Sequence, residues 1–368
     1  MKLFKRIFFA APLMVALIII AATAPASAID YYLCAGATTV DMPGDPGIPM
    51  WGFALDDDNN LSNGCGGPVQ VPGPRLIVPP GEGLNIFLRN DLPEPVSIVI
   101  PGQEMPVSPG CSGSPVWTDR TRGPRTSAEQ RVRSFGCEAA SNGGNRSYRW
   151  GSGTANPLKP GTYTYHSGTH PQIQVQMGLY GAVSQDFAAG NRAYPGVPYD
   201  KSQDLLFSEI DPALHRAVAD GTYGTTGPTS TLDYNPKFFL INGRPYTGDS
   251  PCIDGLNVGD RVLLRMMNAG LREFAPMMIG SYFKVVAEGG NKYQFVETRY
   301  SLLLQPGSTK DVIFRPARID KYPIIDRRLN LTNAAATGGG MQTCLRVRAS
   351  VQAPISGASE IMDEFDSQ

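Results

Sequence analysis

Along most of the chain, short apolar runs alternate with polar positions and are cut by turns rich in glycine and proline. Leu84-Asn85-Ile86-Phe87-Leu88 follows the turn Gly81-Glu82, and its alternation predicts a half-buried strand rather than a helix. Val96 to Ile100, Gly161 to His166, Leu205 to Ser208, Val262 to Met266 and Val312 to Phe314 read as further strands. One short helix is expected after Asp211-Pro212, an N-cap followed by proline at the first helical position. His215 falls on that helix as a packing or surface residue.

The strand pattern repeats. Gly81-Glu82 with Asn90 nine residues later is echoed by Gly259-Asp260 with Asn268 nine residues later, each enclosing an apolar run. Pro160-Gly161-Thr162 before one strand is echoed by Pro306-Gly307-Ser308 before another. Two stretches with the same order of strands and turns imply two copies of one β-domain. The composition agrees: 41 glycines, 32 prolines and only 18% charged residues favour short strands over long helices. A formal net charge of −1 provides no electrostatic footprint for nucleic acid.

The first residues depart from this pattern. Lys2, Lys5 and Arg6 precede an apolar stretch from Ile7 to Ala22, and Ala26-Ser27-Ala28 supplies the small residues a signal peptidase needs. The segment 1–28 therefore reads as a signal peptide, no later run is long enough to span a membrane, and the mature chain is expected in the periplasm or secreted. Export makes the six cysteines legible as disulfides. Sequence alone leaves many pairings open. The preferred set is a Cys111–Cys137 loop staple, a Cys252–Cys344 clamp, and Cys34–Cys65 tying down the first strand.

Three stretches are polar without clear chemistry. Asp56 to Asn60 lacks the spacing of a calcium loop and reads as a solvated turn. From Cys111 to Arg149, Arg120, Arg122, Arg125, Arg131 and Arg133 cluster among glycines and serines, either to meet an anionic partner or to pair with nearby carboxylates. Beyond Ala353 the chain is acidic and poor in apolar residues, the composition of a disordered tail.

Candidate chemistry concentrates in Gly161-Thr162-Tyr163-Thr164-Tyr165-His166-Ser167-Gly168-Thr169-His170, followed by Gln176-Met177-Gly178-Leu179-Tyr180-Gly181; it holds two of the three histidines in the chain. This stretch resembles the second-histidine copper segment of multicopper oxidases. Gly73-Pro74-Arg75-Leu76, Phe239-Leu240-Ile241-Asn242-Gly243, Arg265-Met266-Met267-Asn268-Ala269-Gly270 and Pro306-Gly307 are similar to other segments of that family, in the same order. The resemblance covers roughly residues 72–100 and 155–350. It implies an all-β fold of two cupredoxin-like Greek-key sandwich domains in tandem. On that reading residues 29–189 form the first domain with an insertion at about 108–150, 190–200 a linker, 201–352 the second domain, and 353–368 the tail.

The copper ligands largely do not carry over. Ile100-Pro101-Gly102-Gln103 stands where the family has its first His-x-His, and Gly168 stands where the second has its later histidine. No histidine follows His215. The family's four-copper set takes about ten histidines and a cysteine, beyond the three histidines present. What the resemblance implies is at most a partial copper site, with His166, His170 and Met177 as candidate ligands and any missing ones supplied by another chain. Met266, Met267, Met277 and Met278 look like a copper-binding methionine cluster but fit core positions better. An oxidase subunit, a single-copper carrier and a copper-free structural or binding module on the same scaffold are the readings that remain. Ser167 lies beside His166 on a strand and so faces the opposite way, which excludes a nucleophile–base pair. Phosphate-loop and dinucleotide fingerprints are absent.

Overall fold

The computed structural model describes residues 27–56, 58–111, 132–151, 158–228, 231, 234–334, 336 and 338–349. Residues 1–26 of the stretch read as a signal peptide, the arginines at 120, 122, 125 and 131, and the acidic tail lie outside these residues. The expected all-β fold is found.

In the first half the strands are β1 (Ala28–Met42), β2 (Asp45–Leu55), β3 (Leu76–Val78), β4 (Gly83–Asn90), β5 (Gly144–Trp150), β6 (Gly161–His166) and β7 (Tyr180–Gln185), with one helical turn, α1 (Pro171–Gln174), before β7. They form a four-stranded sheet, β2-β1-β4-β5, facing a three-stranded sheet, β3-β7-β6. Leu33, Phe53, Ile86, Leu88, Tyr148, Trp150, Tyr165 and Val183 fill the space between them.

A small hairpin of β8 (Arg192–Tyr194) and β9 (Val197–Pro198) leads into the second half. There follow β10 (Lys201–Ile210), α2 (Pro212–Ala219), β11 (Phe238–Ile241), β12 (Arg244–Pro245), β13 (Ile253–Asn257), β14 (Val262–Asn268), β15 (Pro276–Met278), β16 (Phe283–Glu288), β17 (Asn291–Arg299), β18 (Thr309–Phe314), β19 (Asp320–Asp326) and β20 (Gln342–Arg348). Their sheets run β12-β11-β10-β14-β18-β16-β17 and β13-β20-β19-β15. Phe207, Leu264, Met266, Met278, Phe283, Phe314, Ile324 and Leu345 form a separate core. Met266 and Met278 belong to this core, and Met267 is equally buried beside it.

The repeat read from the sequence is a repeat of topology. β1 pairs parallel with β4 and antiparallel with β2, as β10 pairs parallel with β14 and antiparallel with β11. β3–β7–β6 has its counterpart in β13–β20–β19, a parallel pair followed by an antiparallel one. The echoed asparagines do the same work. Asn90 accepts from the Leu92 N–H at 3.1 Å and donates to the Glu94 carbonyl at 2.8 Å. Asn268 accepts from the Gly270 N–H and donates to the Arg272 carbonyl, both at 2.8 Å. Each side chain thus closes the turn that leaves its strand, satisfying buried backbone groups that water cannot reach. Asn268→Ala strands two such groups, and a loss of about 2 kcal/mol is expected in urea unfolding, against near-neutral behaviour if the turn were solvated. The proline–glycine echo is different: Gly161 opens β6, whereas Gly307 precedes β18, the counterpart of β5. That echo marks similar turns at non-equivalent places.

All three preferred disulfides are present, Cys34–Cys65, Cys111–Cys137 and Cys252–Cys344. Arg133 pairs with Glu138, as the carboxylate-pairing reading of the arginine cluster expects. In the acidic turn, Asp58 accepts from the Asn60 N–H and the Asn63 side chain.

Helix α2 follows the linker in sequence but packs on the first core, where Leu214, Ala217 and Tyr223 are buried. Asp211 caps it by accepting from the Ala213 N–H at 3.0 Å. His215 is buried beneath the helix and donates Nδ1–H to the Pro49 carbonyl at 2.9 Å, while its Nε2 has no partner. Burial, opposed by that hydrogen bond and by Asp211, pushes its pKa down to about 4.

The two halves meet along β6, which lies against β14 and β18. Arg265 of β14, only 2% exposed, spans this seam. It donates to Thr162 Oγ1 at 2.7 Å and to Asp186 at 2.6 Å. Thr162 in turn donates to Asp311 at 2.7 Å, and Tyr194 donates to the other Asp311 oxygen. Burial alone would lower the Arg265 pKa; the carboxylates of Asp311, Asp186 and Asp204 reverse this and hold the guanidinium charged.

Candidate functional site

β6 ends at His166, and the chain then turns through Ser167 to His170 into α1. The turn is held from inside. Ser97, Ser134 and Thr169 exchange hydroxyl hydrogen bonds of 2.9–3.2 Å, and Ser167 Oγ donates to Gln174 at 2.6 Å. Ser167 is therefore a buried structural hydroxyl rather than a nucleophile.

His166 is half-buried on a ridge between two clefts. One, of about 290 Å³, lies where the halves meet and is lined by Tyr180, Val175, Asn268 to Leu271 and Pro306. The other, of about 310 Å³, is lined by Val99 to Pro101, Met105, Pro106 and Phe135. Nδ1–H of His166 donates to the Ser167 carbonyl at 2.9 Å, which fixes the tautomer and leaves Nε2 as an acceptor. Burial, partly offset by that hydrogen bond, lowers the His166 pKa and favours the neutral ring.

The other candidates are elsewhere. His170 is buried in a left-handed conformation (φ 39°) as the N-cap residue of α1, and its Nδ1 lies 3.4 Å from the Glu94 carboxylate. Met177 is fully buried in the first core. Neither lines either cleft. His166 thus shares neither cleft with His170 or Met177.

Two further positions show how far the scaffold departs from a multi-histidine site. Gln103 is held at both ends of its amide by the Lys159 backbone, at 2.9 Å each, and serves as a strap. At Gly168, a Cβ would sit 2.8 Å from Val99 Cγ1 and 3.0 Å from Ser97 Oγ, so a larger side chain there requires a shift. Among the described residues, the one cluster of three potential ligands is Cys34, Cys65 and Asp91, and its sulfurs are already joined in a disulfide. The residues present fit one imidazole donor, His166, and not a self-contained copper site.

A carboxyl group that the sequence did not flag lies behind the inter-half cleft. Glu209 of β10 is buried and accepts from the N–H groups of Leu271 and Arg272 at 2.7 and 3.1 Å. Burial outweighs these donors and pushes its pKa up to about 7. A Cβ at Gly270 would fall 1.9 Å from Glu209 Oε2, which accounts for the glycine in Asn268-Ala269-Gly270.

Two cupredoxin-type sandwiches in tandem, joined along β6, define the class of fold to which the chain conforms. No protein-family model matches the sequence, and no curated protein matches it. Among solved structures the chain is similar to a blue copper oxidase from Nitrosomonas europaea, at 16% identity and a TM-score of 0.61 over 86% of this chain and 85% of that one. It is also similar to the multicopper oxidase mgLAC, at 17% identity and a TM-score of 0.63 over 89% and 87%. A copper nitrite reductase from Nitrosomonas europaea matches at 17% identity and a TM-score of 0.59, over 90% of this chain and 98% of that one. At these identities the likeness establishes the fold, which is also that implied by the sequence resemblance. Among the described residues no helix is long and apolar enough to cross a membrane.

Proposed function

We propose that this chain is an exported cupredoxin-fold protein that acts as a subunit of a copper system rather than as a stand-alone oxidase. It offers at most one imidazole, His166, to a copper ion whose remaining ligands belong to another chain. The observation that carries this reading is the tautomer: the hydrogen bond to Ser167 commits Nδ1 as donor and leaves Nε2 as the acceptor, on a residue that lines both clefts, the arrangement in which a histidine accepts a metal. His170 and Met177 contribute through packing unless the turn rearranges.

The apolar clefts on both sides of His166 favour a second reading, a copper-free binding module. One measurement separates the two. The mature chain is purified from copper-supplemented periplasm, with its bound partners and then alone, beside a His166→Ala variant, and metal is quantified. The subunit reading expects copper in the partnered sample, lost in His166→Ala and weak in the isolated chain. Copper absent from every sample leaves the binding module. Tight stoichiometric copper in the isolated chain that survives His166→Ala overturns both.

A further inference from the structure

The outward face of the sheet β13-β20-β19-β15 places two cations against each other. Lys321 of β19 stands directly opposite Arg346 of β20. Like charges in that position destabilise a sheet unless something lies between them. Among the described residues neither side chain joins an ion pair, and Arg346 Nε is enclosed without a hydrogen-bond acceptor. A buried guanidinium N–H without a partner is uncommon enough to require an explanation.

Both side chains line one groove of about 530 Å³. Its other wall is the loop that follows β12, folded on itself by the Thr247 N–H to Ser250 Oγ bond of 2.9 Å and tied to β20 by the Cys252–Cys344 disulfide. The hydroxyls of Ser250 and Thr343 also line the groove, whereas the Gln342 amide there already donates to the Gly338 and Gly339 carbonyls. Asp249 is its one acidic residue and pairs with neither cation, while neighbouring Asp254 is taken by Arg348. The lining therefore carries an excess of positive charge beside two hydroxyl groups.

We propose that this groove binds an oxyanion, a phosphate or carboxylate group held between the Arg346 guanidinium and the Lys321 ammonium. Arginine offers a planar fork that matches such a group, lysine a point charge, and the two hydroxyls complete its hydrogen bonds. The site lies in the second half, apart from the His166 clefts, and does not depend on copper.

The test is thermal unfolding of the full chain in inorganic phosphate, with chloride at matched ionic strength as reference. A saturable rise in Tm specific to phosphate is expected, with apparent affinity about tenfold weaker in Arg346→Gln and in Lys321→Gln. Without phosphate at low salt, Lys321→Gln is expected to raise Tm, because it removes one of two facing cations. A Tm that follows ionic strength alone, or an equal phosphate response in wild type and both variants, overturns the proposal. The full chain carrying Glu360→Gln, Asp363→Asn, Glu364→Gln and Asp366→Asn distinguishes the source of the anion. Tighter phosphate binding in that variant identifies the chain's own carboxylates as competing occupants; unchanged binding leaves a free anion.

Discussion

Replacing Arg265 by methionine is expected to destabilise the protein by about 3–5 kcal/mol, the cost of removing one partner from a buried charged network. The side chain is of similar length and keeps much of the packing, so the loss reports on charge. Asp311 and Asp186 would remain at the seam with only Thr162, Tyr194 and Tyr199 as donors. Asp311 is already above the usual carboxylate range because burial outweighs Arg265 and its hydrogen bonds. In the variant it would rise further and take up a proton on folding, so the variant gains stability relative to wild type as pH falls. Adding Asp311→Asn should recover part of the loss near neutral pH. Denaturant unfolding of the three proteins at several pH values is the measurement. A loss below about 1 kcal/mol, unaffected by pH, would mean that the seam is wet and its charges are screened.

The second large effect concerns pH. His215 is held neutral, with a folded pKa of about 4 against an ordinary value of 6.5. A base with a depressed folded pKa stabilises above its unfolded pKa, and that stability is lost as pH falls from 6.5 to 4, about 3 kcal/mol in all. Glu209 acts in the opposite sense. Its folded pKa of about 7 lies above the ordinary 4.5, so folding favours its protonated form and stability is lost as pH rises from 4.5 to 7, again about 3 kcal/mol. The two slopes nearly cancel between pH 4.5 and 6.5. Glu209→Gln should therefore unmask a steep acid sensitivity, and His215→Gln a decline toward neutral pH. Parallel stability–pH curves for wild type and Glu209→Gln would show that folding does not raise the pKa of this carboxyl.

The fold was legible because strand alternation and the Asn90/Asn268 echo are carried by short stretches of a few residues each. The three disulfides match the preferred pairing, one of many that the cysteine spacing leaves open. The site was less legible. The sequence places His170 four residues from His166, but the left-handed backbone at His170 sends its ring toward Glu94, a contact spanning 76 residues. Gln103 looked like a lost ligand; its role as a strap to Lys159 depends on a loop returning from 56 residues away. Glu209 gave no signal of its own, since what packs on its carboxylate is Gly270, in another strand's turn. A small clue existed in Asn268-Ala269-Gly270, where the glycine requires a close neighbour. Arg265 likewise stood in an apolar run, and an arginine among Leu264, Met266 and Met267 needs a buried anion.

The helix that crosses from the second half into the first core sets a limit on dissecting the molecule. A fragment ending at residue 189, the boundary the sequence suggests, would omit Leu214, Ala217 and Tyr223 and expose the apolar surface they cover. It would also lose the Arg216–Asp45 ion pair and the His215 contact with Pro49. The first sandwich must therefore be carried through residue 234, where Tyr234 makes the last packing contact with that core. Since β10 lies within that extension, any fragment holding a complete first sandwich also exposes the edge of an unfinished second sheet. Cutting the chain between the two sandwiches therefore uncovers either the first core or the edge of the second sheet.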